Sequence, residues 1–258
     1  MTKNSSKQFD WLGLIIGNSR LHWAWFQGEK LSQCWDSEHL SDNVVNEEFL
    51  KKTLPSFERD RICDLPIYIA SVVPSQTALW RAYPNVKLIT LERIPLKGIY
   101  PTMGIDRALA VWGAGTTLGF PCLVIDAGTA LTFTGANSNR VLVGGAILPG
   151  LRLQWQSLAT KTAALPEVKF PERLPNRWTL NTSDAIQSGV IYTILAGIRD
   201  FIEDWLEQFP NSQIALTGGD AKILLSYLQI QFPNLVQAVK LDFNLIFWGM
   251  RSLVFSQQ

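Results

Sequence analysis

Two kinds of residue grouping in this chain could do chemistry. The first is a set of three glycine-bearing turns, Gly17-Asn18-Ser19, Asp126-Ala127-Gly128-Thr129 and Thr217-Gly218-Gly219-Asp220. A glycine turn at a strand end exposes backbone N–H groups that can cradle phosphate oxygens, and the missing Cβ permits close approach. Asn18, Ser19 and Thr129 could add side-chain hydrogen bonds. Asp126 offers a carboxylate for a cation beside a polyphosphate, and the Gly218-Gly219 pair could admit an adenine or ribose against the backbone. The second grouping is Tyr100-Pro101-Thr102-Met103-Gly104-Ile105-Asp106-Arg107. Asp106 could accept the proton of an attacking hydroxyl, and Arg107 could bind an anion through its forked guanidinium. Taken singly, each has an ordinary explanation: a structural turn, or a carboxylate complementing the positive end of a helix. Together they supply what phosphoryl transfer asks of a protein, which is positioning and charge neutralisation. No G-x-x-x-x-G-K-S/T loop and no G-x-G-x-x-G fingerprint is present, which counts against a P-loop ATPase and a nicotinamide enzyme.

The elements that must carry these groups follow from apolar patterning. Residues 11–16 and 21–26 flank the Gly17 turn and predict a β-hairpin. Residues 67–72 read as a buried strand halted by Pro74, and 86–91 as another. The stretch 105–117 suits a helix, with Asp106 and Arg107 in its first turn. Residues 122–126, 130–135 and 140–143 read as strands, with Gly144-Gly145 and Pro149-Gly150 as punctuation. In 184–208 the positions Ile186, Val190, Ile194 and Ile198 recur at spacing four, a core-facing helical stripe. A strand at 213–216 and helices at 221–230 and 243–254 complete an α/β pattern. Residues 36–61 are polar with weak helical spacing. The segment around Gly17 aligns with that around Gly128, 111 residues later, as strand, glycine turn and strand, which suggests two related halves.

Composition narrows the partners. With 23 basic and 22 acidic residues the net charge is +1, so neither nucleic acid nor an anionic membrane is called for. Cys34, Cys63 and Cys122 form no CxxC or Cys/His cluster, which fits a reducing compartment without a zinc site; Cys122 begins an apolar run and reads as core. Residues 1–9 lack the apolar stretch of a signal peptide. No window is read as long enough to span a bilayer. A soluble, cytoplasmic protein is expected. His22 and His39 have no partners at metal-ligand spacing, and the tryptophans Trp23, Trp25, Trp155 and Trp205 read as packing residues.

Two hairpin turns followed by a late Gly-Gly turn resemble the layout of the acetate and sugar kinase, Hsp70 and actin superfamily. That resemblance implies two ribonuclease H-like halves, residues 1–117 and 118–258, each a mixed sheet flanked by helices, with ATP between them. More narrowly, the chain resembles the type III pantothenate kinases. The likeness rests on Gly17-Asn18-Ser19, Ile69 to Pro74, Gly104-Ile105-Asp106-Arg107, Asp126 to Thr129, Gly144 to Gly150, Thr162-Ala163 with Leu165-Pro166, Asn181-Thr182 with Gln187-Ser188-Gly189, and Thr217 to Asp220.

The resemblance implies an enzyme that phosphorylates pantothenate with ATP, the opening step of coenzyme A synthesis. Asp106 would be the general base, and Tyr100, Gly104, Ile105, Asp106 and Arg107 would line the pantothenate pocket. Thr182 would reach pantothenate from a neighbouring subunit of a homodimer. ATP would be bound by Ile15, Ile16, Gly17, Asn18, Ser19, Arg20, Leu21 and His22, with Gly128, Thr129, Gly218 and Gly219. Asp126 would hold a monovalent cation, potassium or ammonium, and Mg2+ would accompany ATP.

One position departs from the family pattern. Where Asp-x-Gly-Asn-Thr is usual, Ile15 stands two residues before Gly17, so the first carboxylate is missing, and Ser19 replaces threonine. Asp10 is five residues upstream and cannot substitute. The alternative to an active kinase is a non-catalytic or degenerate nucleotide-binding regulator of the same fold.

Overall fold

Apolar alternation and glycine placement produce the same arrangement of strands twice. The computed structural model describes residues 9–40, 45, 50, 65–80, 83–161, 165–166, 168–171 and 173–256. Tertiary contacts divide the chain into two units: Met1–Pro95, Tyr100–Leu109 and Ile246–Gln258 in the first, Leu96–Ile99 and Ala110–Leu245 in the second.

In the first unit, β1 (Asp10–Ile16) and β2 (Leu21–Gln27) form the expected hairpin, with Ile16 opposite Leu21. β3 (Lys30–Ser37) extends it antiparallel. β4 (Ile67–Ser71) pairs parallel with β1, α1 (Pro74–Trp80) follows, and β5 (Val86–Leu88) pairs parallel with β4. Pro74 halts the strand as expected, and it does so by opening α1, where a missing N–H is harmless. The sheet order is β3-β2-β1-β4-β5. One face of β1 and β2 carries Leu12, Leu14, Ile16, Leu21 and Trp23 into a core with Ile67, Ile69 and Trp80. Each such fully buried side chain is worth about 1.5–3 kcal/mol.

α2 (Ile105–Thr117) begins in the first unit and continues into the second. The second unit then repeats the wiring. β6 (Cys122–Ala127) and β7 (Ala130–Ala136) form a hairpin, and β8 (Leu142–Pro149) extends it. α3 (Leu151–Lys161) and α4 (Thr182–Gln208) precede β9 (Gln213–Thr217), which pairs parallel with β6. α5 (Ala221–Gln231) and α6 (Pro233–Val236) lead to β10 (Val239–Leu241), parallel to β9. The order β10-β9-β6-β7-β8 is that of the first sheet, element for element. α7 (Leu245–Phe255) closes the described chain; its Phe247 packs on Gly13 and its Phe255 ring lies 6.5 Å from that of Trp11, both in the first unit.

Several sequence readings needed correction. The strand read over 86–91 is only Val86–Leu88, and Leu91–Arg93 is a 3-10 turn. β8 runs through Gly144-Gly145 and stops only at Pro149, so those glycines are strand rather than punctuation. Residues 36–37, read as helical, end β3; most of the remainder of 36–61 lies outside the described residues, as do Cys63 and the Thr162-Ala163 pair. α4, at 27 residues with a mean hydropathy of 1.2 in its most apolar window, is long and apolar enough to cross a bilayer, contrary to the reading that no window is. Its stripe Ile186, Val190, Ile194, Ile198 and Ile202 instead lies in the core of the second unit with Leu123, Ile125 and Phe133. Asn181 caps this helix, its Oδ1 accepting the Asp184 N–H at 2.9 Å, which is worth about 1 kcal/mol. Cys122 is core as expected: its thiol is fully buried and desolvation pushes its pKa up to about 12.

Candidate active site

In the first unit the chain turns at Gly17, whose N–H donates to the Arg20 carbonyl at 3.1 Å. Ile15 and Ile16 end β1, buried; Asn18, Ser19 and Arg20 are exposed on the turn; Leu21 is buried and His22 half-buried at the start of β2. His39 Nε2 donates to the Gly17 carbonyl at 2.8 Å. At the end of the neighbouring strand β4, the Val72 N–H donates to the Ile16 carbonyl at 3.0 Å.

Val72 leads to the second grouping, since its Cγ1 lies 3.9 Å from where a Cβ on Gly104 would sit. Gly104 immediately precedes α2, and the Asp106 carboxylate folds back over it: an added Cβ would meet Asp106 Oδ1 at 2.5 Å. That oxygen accepts the Arg107 N–H at 2.8 Å. Burial raises the Asp106 pKa above the ordinary carboxylate range, opposed by the hydrogen bond from the Arg107 N–H and by the Arg107 charge. Arg107 is buried, 8% exposed, and its Nη1 donates to the Tyr100 hydroxyl at 3.1 Å. Tyr100 is 41% exposed, so the pair runs from the interior to the surface. Tyr100, Gly104, Asp106 and Arg107 are therefore brought together; Ile105 is buried beneath them as the first residue of the helix. A desolvated carboxylate beside a fixed guanidinium can take a proton and hold an anion.

In the second unit the Gly128 N–H donates to the Ala130 carbonyl at 3.1 Å, one residue tighter than the turn at Gly17. Three segments converge here. The Gly150 N–H donates to the Thr129 carbonyl at 2.9 Å, and a Cβ on Gly150 would sit 2.6 Å from that oxygen. The Asp220 N–H donates to the Ala127 carbonyl at 2.9 Å. Gly218 has φ +94°, which favours glycine, and its Cα packs so closely on Asp126 and Ala127 that a Cβ would meet the Ala127 carbonyl carbon at 2.5 Å. Asp126, Gly128, Thr129, Gly218 and Gly219 thus form one cradle. Two residues complete it: Gly150, noted in the sequence only as punctuation and as part of a family motif, and Arg152, which the sequence did not single out and whose Nε donates to the buried Asp220 Oδ1 at 2.9 Å. Gly150 directly follows β8, and the Pro149-Gly150 pair was the available signal in the sequence.

Among the described residues no three His, Cys, Asp or Glu side chains cluster as a metal site. A cation at Asp126 would take its other oxygens from backbone carbonyls, water and substrate phosphates, which suits an alkali ion or a water-rich magnesium. A surface cavity of about 490 Å3 in the second unit, lined by Arg173, Arg177, Tyr192 and Tyr227, contains none of the expected site residues. Thr182 is the first residue of α4 and is exposed. Just before it, Trp178 and Leu180 are exposed by 89% and 107%.

The chain is 52% identical to a type III pantothenate kinase of a Nostoc species, covering 98% of each protein, and 46% identical to that of a Synechocystis species, covering 97% of this chain and 92% of the relative. Among solved structures it is similar to a Campylobacter jejuni protein assigned to the Baf family of transcriptional activators, at TM-score 0.63 and 22% identity over 95% and 98% of the chains. It is also similar to a dehydratase activator from Clostridium difficile with bound ADPNP, at TM-score 0.51 and 8% identity over 96% and 95%. At such identities these likenesses show a shared fold over nearly the whole chain. The sequence pattern of the type III pantothenate kinases matches residues 11–204, and the chain belongs to that family.

Proposed function

We propose that this chain transfers the γ-phosphoryl group of ATP to the hydroxyl of pantothenate, giving 4'-phosphopantothenate and ADP, the first step of coenzyme A synthesis. The observation that carries the reading is the Asp106–Arg107–Tyr100 arrangement: a carboxylate with a raised pKa, beside a buried guanidinium tied to a tyrosine at the surface. Asp106 takes the hydroxyl proton as the oxygen–phosphorus bond forms and ADP leaves. Arg107, with Tyr100 and the Gly104-Ile105 backbone, holds the pantothenate carboxylate and orients its hydroxyl. The turn from Ile15 to His22 and the cradle of Gly128, Thr129, Gly218 and Gly219 bind ATP. Asp126 would hold a potassium or ammonium ion and Mg2+ would arrive with the nucleotide; both would supply positive charge to the phosphates. The exposed Trp178 and Leu180 beside Thr182 favour a homodimer in which Thr182 completes the partner's pantothenate site, since large apolar patches mark association surfaces. We place the reaction in the cytoplasm, where its substrate ATP is held.

Purified protein incubated with ATP, magnesium, potassium and pantothenate should yield phosphopantothenate by mass spectrometry. ATP binding without that product would favour a nucleotide-binding regulator, a reading to which the missing carboxylate at Ile15 lends itself.

A further inference from the structure

β1 bears no carboxylate at the Gly17 turn, yet the register places one in the same row. Ile15 pairs with His22, and His22 pairs with Asp36. Directly paired residues share a face of a sheet, so Ile15, His22 and Asp36 stand side by side across three strands. The Asp36 carboxylate uses both oxygens: Oδ1 lies 2.7 Å from His22 Nδ1, and Oδ2 accepts from Arg20 Nη1 at 3.1 Å. The other ring nitrogen, His22 Nε2, lies 3.5 Å from the point where a Cβ on Gly17 would be. The imidazole therefore lies along the turn, one nitrogen anchored on Asp36 and the other beside Gly17.

We propose that Asp36 is a positioning residue for nucleotide binding: it holds Arg20 and His22 over the Gly17 turn, where they take phosphate oxygens of ATP. The inference rests on reading the chain as an ATP-dependent kinase. A lone Gly17 turn offers phosphate only backbone N–H groups and the Asn18 and Ser19 side chains. Arg20 adds a permanent charge, and its side chain is 57% exposed, which leaves it accessible to an anion. His22 adds an Nε2–H whenever the ring carries both protons, because Asp36 then occupies the Nδ1–H. A carboxylate bonded to one ring nitrogen fixes the orientation of the ring and hence the direction of the other. A plain ion pair on a surface would contribute about 0–1 kcal/mol to stability and nothing to ligand binding. What distinguishes this one is that a single carboxylate gathers an arginine and a histidine beside a turn whose glycine lets a phosphate approach.

The test measures Asp36→Asn, Asp36→Glu and Arg20→Ala/His22→Ala by steady-state kinetics and by calorimetric titration with ATP. Asp36→Asn should raise the KM and Kd for ATP about ten-fold, the worth of one charge-assisted hydrogen bond. It should leave the KM for pantothenate and the melting temperature in place. Asp36→Glu should restore part of the loss, and the double replacement of Arg20 and His22 should match or exceed it. Unchanged ATP affinity in Asp36→Asn and in the double variant, with wild-type turnover intact, overturns the inference and spares the kinase reading. Equal loss for both substrates together with a lowered melting temperature also overturns it, since Asp36 would then be merely structural. If the wild-type protein makes no phosphopantothenate but Asp36→Asn still weakens ATP titration ten-fold, the inference stands and the acceptor assignment fails.

Discussion

Gly104→Ala isolates the placement of Asp106 from its chemistry. Gly104 is not in the left-handed backbone region, so alanine is admissible there, but its Cβ would lie 2.5 Å from Asp106 Oδ1, against 3.4 Å or more for ordinary contact. The carboxylate must retreat by about 0.9 Å, the difference between those two distances. It can do so, because it is the end of a side chain rather than backbone, but it stretches or breaks its 2.8 Å bond from the Arg107 N–H. Loss of that bond costs about 1–2 kcal/mol of stability. A displacement near 1 Å in a reacting group costs on the order of 100-fold in rate, or about 2.7 kcal/mol of transition-state stabilisation. A coupled assay of ADP release should therefore show kcat down about 100-fold, with the KM for ATP little changed and the fold retained by circular dichroism. In an Asp106→Asn background the same alanine should have almost no further effect, because the group it displaces no longer accepts a proton. Wild-type kcat in Gly104→Ala, or full additivity of the two changes, would refute the assignment of Asp106 as the positioned base.

Asp106→Asn itself should lower turnover about 10²–10⁴-fold without loss of fold. Because burial raises the folded-state pKa of Asp106, its ionised form is disfavoured in the folded protein; the asparagine variant should be the more stable one at neutral pH, with the advantage fading as pH falls through that raised pKa, as thermal melts at a series of pH values would show. The same shift places the acid limb of the kcat/KM profile of the natural enzyme above the ordinary carboxylate range, and a limb at the ordinary value would remove Asp106 as the group responsible. Gly218→Ala, which forces a Cβ into the Ala127 backbone at φ +94°, should cost about 1–3 kcal/mol in urea denaturation and weaken ATP titration.

What the sequence made legible was what repeats or alternates. The two glycine-cornered hairpins, the helix opening at Ile105 and the stripe of α4 were all readable, because each buries one face and exposes the other. β8 was cut short because Gly144 and Gly145 look like a turn. In the sheet they pair with Gly135 and Thr134, beside a register irregularity between Gly135 and Ala136, and the Trp205 ring packs directly against Gly135. α3 was missed because only Leu151 and Trp155 of its eleven residues are buried, too few to print a period. β3 was missed for the opposite reason to a core strand. As a sheet edge with five of its eight residues exposed it prints only a broken alternation, and its Asp36 falls in the polar stretch 36–61. The partner of His22 was invisible for that reason alone; neither His22 nor Asp36 is close to the other in the chain, and only strand register joins them. Tyr100 and Arg107, seven residues apart, were associated through family likeness, and the hydrogen bond between them is a product of the loop that carries Tyr100 back over the helix start.

The two sheets share one wiring diagram, and this has a consequence for how such a protein can change. At the corner of the second hairpin an acid, Asp126, has been kept; at the matching corner of the first, Ile15 occupies its place. A frame built twice holds a spare of every socket. One copy can exchange its chemistry, or hand it to a neighbouring strand, while the other preserves the original, and neither sheet has to be redrawn.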